Sequence, residues 1–113
     1  MEKRFAVRRV RERDIGRIME IEVASFGADA YNRNLFAEYT RKCGELFLVA
    51  EGGTGAEGST VAEGNVYGYA ITCLCGGKAE YRAELVSLAV DPAVRGKGAA
   101  SALMDSILRR LKL

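Results

Sequence analysis

The chain has 113 residues, 49% of them apolar and 28% charged, which suits one domain around a modest core and excludes disorder. Its 17 Lys and Arg against 15 Asp and Glu leave a net charge of only +2, no field that would imply nucleic acid or an anionic membrane. It has no His, which excludes a Ser-His or Cys-His relay and any His-ligated metal.

Residues 5–10, with Phe5 and Val7, read as a first strand. Asp14 stands where an N-cap stands, and Ile15, Ile18, Met19, Val23 and Phe26 recur behind it at helical spacing, so a first helix ends near Gly27. Asn32 or Asn34 opens a second, shorter helix that runs to about Cys43, with Leu35, Phe36 and Tyr39 on its apolar side and Gly44 ending it. Residues 46–50 form a compact apolar strand. Residues 51–65 carry Gly52, Gly53, Gly55, Gly58 and Gly64 among small polar side chains, a long flexible hairpin loop inserted at the surface. Residues 66–74 alternate as a strand, Gly76 and Gly77 turn the chain, and residues 80–90 form a further strand that Asp91 and Pro92 break. From about Gly98, the residues Ala100, Leu103, Ile107, Leu108 and Leu111 share one helical face, and Arg109, Arg110 and Lys112 suit the negative end of its dipole. The order β-α-α-β-β-β-α predicts an α+β fold, a mainly antiparallel sheet flanked by helices, in a single domain over residues 1–113.

Three cysteines, Cys43, Cys73 and Cys75, give an odd count, and the spacing of the last two fits neither a C-x-x-C redox motif nor a zinc knuckle. They read as reduced thiols of a cytoplasmic protein. No segment has signal-peptide form or approaches the ~18 apolar residues of a membrane span.

Residues 87–101 carry the chemistry. A buried strand ends, a short loop follows, and small residues open a helix whose first N–H groups lack internal partners. Gly96 and Gly98 leave room for close approach, Ala99, Ala100 and Ser101 keep the helix mouth open, and Arg95 and Lys97 add positive charge. This is a cradle for a phosphate or pyrophosphate. A Walker A loop is excluded by Asp91 and Gly98, which stand where Gly and Ser or Thr are needed. A dinucleotide loop is excluded by Ser101 and by the four residues from Asp91 to Val94 between strand and glycines.

Arg95-Gly96-Lys97-Gly98-Ala99-Ala100 closely resembles the acetyl-CoA signature [QR]-x-x-G-x-[GA] of the GNAT superfamily of N-acetyltransferases. Its flanks, Val86-Ser-Leu-Ala-Val-Asp-Pro before it and Ala102-Leu103 after it, resemble the RimI-like enzymes, which acetylate the α-amino group of protein N-termini. The likeness continues in Val7-Arg8, Asp14-Ile15, Ile18-Met19-Glu20-Ile21-Glu22, Ser25-Phe26, Leu48-Val49-Ala50-Glu51 and Val66-Tyr67-Gly68-Tyr69.

The resemblance implies acetyl-CoA as co-substrate, no metal, and an amine acceptor, either a protein N-terminus or a small molecule. It puts the pyrophosphate on Arg95, Gly96, Lys97, Gly98, Ala99 and Ala100, with Ser101 adjoining, and pairs the pantetheine arm with Leu88, Ala89 and Val90. The amine attacks the thioester directly, and Glu84, expected on one strand face with Val86, Leu88 and Val90, is the candidate general base. Tyr31, Tyr67, Tyr69 and Tyr81 are expected to pack or to face the substrate. The acceptor is expected to be read by residues 27–34 with Arg33 and Arg41. The family's domain continues beyond the equivalent of Leu113, so the resemblance implies either a truncated product or a minimal module completed by a partner. Loss of the next strand implies an exposed strand edge over residues 80–90 and a homodimer through it. Two other functions compete. One is an acyl-CoA-binding module without catalysis. The other is a nucleic-acid binder using Lys3, Arg4, Arg8, Arg9, Arg11, Arg13 and Arg17, but Glu2, Glu12 and Asp14 interrupt these, as on a solvated face.

Overall fold

The computed structural model describes residues 4–53, 61–76 and 82–112. Glu2, Lys3, Gly77, Glu80, Tyr81 and positions 54–60 of the glycine-rich segment lie outside the described residues. Seven main elements follow in the expected order: β1 (Phe5–Arg9), α1 (Ile15–Phe26), α2 (Arg33–Lys42), β2 (Phe47–Gly52), β3 (Val66–Cys75), β4 (Arg82–Val90) and α3 (Ala99–Leu111). The strands lie side by side as β1-β2-β3-β4, each antiparallel to its neighbour.

Alternation along the strands feeds two cores, one on each face of the sheet. On one face, Leu103 and Ile107 of α3 pack on Phe5, Leu48, Tyr67 and Ala70. On the other, Ile15, Ile18 and Ile21 of α1 and Phe36 of α2 cover Phe47, Val49, Tyr69, Ile71 and Ala89. None of the described helices is long and apolar enough to cross a membrane.

Local chemistry decides the details. Asn32, not Asn34, caps α2, its Oδ1 accepting the Leu35 N–H at 2.9 Å. Asp14 does not cap α1 with its side chain. It is buried in a turn before the helix, where its carboxylate accepts from both Nη atoms of Arg8 at 2.9 and 3.0 Å and from the Arg11 N–H at 2.7 Å. A two-pronged pairing with a guanidinium outweighs a single bond to a helix N–H at this position.

Cys43 and Cys73 form a disulfide, Cα to Cα 5.2 Å, and Cys75 is free. The expectation of three reduced thiols therefore fails for two of them. The end of α2 folds against β3 and brings together residues separated by 30 positions.

A second correction concerns β4. Ile71 pairs with Ser87 and Thr72 with Leu85, so Val86 is an extra, unpaired residue, a β-bulge. Directly opposed residues share a face. Glu84, opposite Cys73, therefore lies on the α1/α2 face with Ser87 and Ala89. Leu88 and Val90 pack on the α3 face instead. The expected common face of Glu84, Val86, Leu88 and Val90 does not exist, because the bulge inverts the alternation between them.

Candidate active site

The end of β4 is held by several hydrogen bonds. The Asp91 N–H donates to the Tyr67 carbonyl at 2.8 Å, and the Asp91 carboxylate caps the turn Pro92–Val94 by accepting the Ala93 N–H at 2.9 Å. Arg17 of α1 donates from Nη2 to Asp91 at 2.5 Å and from Nε to the Val66 carbonyl at 2.9 Å. The Ala93 N–H, against some burial and with help from Arg17, holds the Asp91 carboxyl below the usual carboxylate range. The loop that follows starts from a fixed point.

Gly96 and Gly98 have φ of +82° and +100°, a backbone region that disfavours every residue with a Cβ. A Cβ added to either would meet nothing within 4 Å, so the space above the loop is open. Gly98 is the N-cap of α3 and no side chain closes it. The first N–H groups of α3 thus face that space without an internal acceptor. Val90, Arg95, Gly96, Gly98, Ala99, Ala100 and Ser101 line one shallow cleft of about 310 Å³ there.

Two predicted cations behave differently. Arg95 folds back and donates from Nε to the Val90 carbonyl and from Nη2 to Ser25 Oγ, both at 3.3 Å, bracing the loop against α1. Lys97 lines a separate groove between β1 and α3, with Arg4, Asp105, Arg109 and Lys112. Along β4, Val90 lies opposite Gly68 and Leu88 opposite Ala70. Because the next residue, Asp91, gives its N–H to β3, antiparallel alternation turns the N–H groups of Val90 and Leu88 away from β3. Among the described residues β4 has no other neighbour in the sheet. Ala89, opposite Tyr69, is buried on the α1/α2 side.

On that side a second cleft, of about 350 Å³, opens between β4 and the end of α1, lined by Phe26, Asp29, Tyr31, Val86 and Ser87 with Glu22 among them. Glu22 is 1% exposed. The Tyr69 hydroxyl donates to its Oε1, and the Tyr31 N–H donates to its Oε2 at 2.9 Å. The Tyr69 oxygen lies 3.2 Å from Ser87 Oγ. Burial pushes the Glu22 carboxyl up, opposed by the Tyr31 N–H. Sequence reasoning passed over Glu22, although it sits four residues after Ile18 and seven after Ile15, on the apolar stripe of α1. A charged residue on such a stripe is the signal that could have found it. Glu84, the predicted base, is exposed, accepts from Cys75 Sγ at 3.2 Å and does not line the cleft. Arg33 and Arg41 are exposed on α2, also away from it. The Tyr67 hydroxyl accepts the Ala62 N–H at 2.8 Å, a packing role.

The sequence profile described as the Acetyltransferase (GNAT) family matches residues 15–113. The chain belongs to that family. Its four-stranded antiparallel sheet with three helices is the GNAT fold. Ard1 from Thermoplasma volcanium superposes with a TM-score of 0.74 at 28% identity, over 96% of this chain and 64% of that one. Chaetomium thermophilum Naa20, solved with a bisubstrate analogue, gives 0.70 at 22% identity over 93% and 55%. Arabidopsis thaliana Naa50, solved with the bisubstrate analogue CoA-Ac-MVNAL, gives 0.72 at 18% identity over 96% and 64%. This GNAT chain thus spans less of those proteins than they span of it. No curated protein sequence matches it.

Proposed function

We propose that this chain is an acetyl-CoA-dependent N-acetyltransferase that acetylates a primary amine, a protein N-terminal α-amine, by direct attack in a ternary complex. One observation carries the reading: an open helix N-terminus continues into a strand edge that no other strand pairs among the described residues, and that edge borders a cleft with a buried carboxylate on its lining. The residues present suit acetyl-CoA. The N–H groups of Ala99, Ala100 and Ser101 suit a pyrophosphate, with Gly96 and Gly98 allowing close approach. The outward N–H groups of Leu88 and Val90 suit the amides of a pantetheine arm, as an added strand would pair. Acetyl-CoA supplies the activated acyl carbon. The protein orients it, keeps the amine close and takes up a proton.

The RimI-like flanks of the signature and the peptide-bearing analogue in the Naa50 structure support a peptide N-terminus as acceptor. The β4 edge that suits pantetheine also suits the same strand of a second copy, so a homodimer and the ligand compete for it. The test is calorimetric titration of the chain with acetyl-CoA, with Gly98→Val as control, followed by mass spectrometry of peptides with free N-termini. Saturable binding that Gly98→Val abolishes, with a +42 Da product, is the expected result. A folded chain that does not bind overturns the reading. Binding without transfer leaves the acyl-CoA-binding module in its place.

A further inference from the structure

Glu22 is buried with a tyrosine hydroxyl and a backbone N–H as partners, and no Lys or Arg hydrogen-bonds to it among the described residues. Such a carboxylate is costly to keep charged. Its position gives it a use. Ser87 on β4, Tyr69 on β3 and Glu22 on α1 stand in a hydrogen-bonded row that starts at the cleft wall and ends at the carboxylate. Ser87, opposite Ile71, lies on the α1/α2 face, while Leu88 packs on the other.

We propose that Glu22 receives the proton that the acceptor ammonium must lose, relayed by the hydroxyls of Ser87 and Tyr69. The inference rests on the acetyltransferase reading above. The ammonium gives a proton to Ser87 Oγ, the Ser87 proton passes to Tyr69 Oη, and the Tyr69 proton passes to Glu22 Oε1. Both hydroxyls end neutral and the carboxylate becomes a carboxylic acid. The freed lone pair forms the C–N bond at the thioester carbonyl, the C–S bond breaks as the adduct collapses, and the sulfur takes a second amine proton. Glu22 later gives its proton to water. Burial raises the proton affinity of Glu22, which suits an acceptor working near neutral pH. The other titratable groups on the cleft are Asp29 and Tyr31, from the segment between α1 and α2, and β4 contributes none from Leu85 to Leu88.

The experiment measures acetyl transfer to a free-N-terminus peptide against pH for wild type, Glu22→Gln, Tyr69→Phe, Ser87→Ala and Glu84→Gln, with acetyl-CoA affinity and Tm alongside. Glu22→Gln is expected to lower kcat about 100-fold or more, to move the acid limb of the profile up to the titration of the acceptor amine itself and to keep acetyl-CoA affinity. Tyr69→Phe and Ser87→Ala are expected to lower kcat at least about tenfold. All three should recover at pH values where the acceptor amine is already neutral. Retained kcat in Glu22→Gln overturns the inference, as does an upward move of the acid limb in Glu84→Gln alone. A carboxyl-carbon NMR titration of the wild-type chain adds a readout free of turnover: Glu22 titrating at the ordinary carboxylate value also overturns it. Wild type failing to bind acetyl-CoA or to transfer the acetyl group defeats the underlying reading and this inference with it, whereas transfer that Glu22→Gln leaves intact defeats the inference alone.

Discussion

Among the described residues two buried carboxylates, Asp14 and Glu22, are driven in opposite directions by their surroundings. Burial pushes Asp14 up, but the Arg8 fork and the Arg11 N–H outweigh it and hold the group below its ordinary range. A depressed native value contributes stability above the unfolded value, and that stability is lost as pH falls through the native one. Asp14→Ala should therefore cost about 3 kcal/mol at neutral pH, with the gap to wild type closing on acidification in urea unfolding. Glu22 is raised, mainly by burial, so the sign reverses: its contribution is intact below the unfolded value and is lost as pH rises through the native one. Glu22→Gln should be at least as stable as wild type at neutral pH, with an advantage that grows from acid to neutral. A variant that gains stability while losing turnover is the pattern of a group kept for chemistry. The difference between the two was only partly legible in the sequence. Both carboxylates precede or lie on the apolar stripe of α1, but Arg8 comes from the neighbouring strand, and its aim depends on the fold.

At the scale of elements, all seven were legible, because period and punctuation are local. The open turn at Gly96 and Gly98 was legible for the same reason. What stayed hidden was what neighbours decide. Val86 and Ser87 fit a strand on either face, so nothing in the pattern marks the bulge that separates Glu84 from Leu88. Nor does spacing reveal that Cys43 meets Cys73 across α2 and β3. That bridge is open to direct test. Under denaturing, non-reducing conditions the chain should show one reactive thiol, Cys75, and three after reduction. Reduction and Cys43→Ser should each cost about 3–4 kcal/mol by loop closure, and the two should not add.

Across the whole molecule the sheet divides the labour. One face carries α3 and its open N-terminus, the other carries α1, α2 and the cleft that Glu22 and Ser87 line, and β4 borders both. Acetyl-CoA at about 100 times its Kd should raise stability by about 2.7 kcal/mol in thermal unfolding, and Gly98→Val should erase the gain. If copies associate through β4, sedimentation should show acetyl-CoA dispersing them, because both need the same edge. The Cys43–Cys73 bridge has a mechanical consequence as well. A force pulling on the two ends cannot extend the loop it closes, a separation of 30 residues, so about 100 Å of contour stays out of reach until the bond is reduced. A motor that threads the oxidised chain from either end would meet a closed ring, and would have to draw three lengths of backbone through its pore side by side, the two arms of the ring and the chain beyond it.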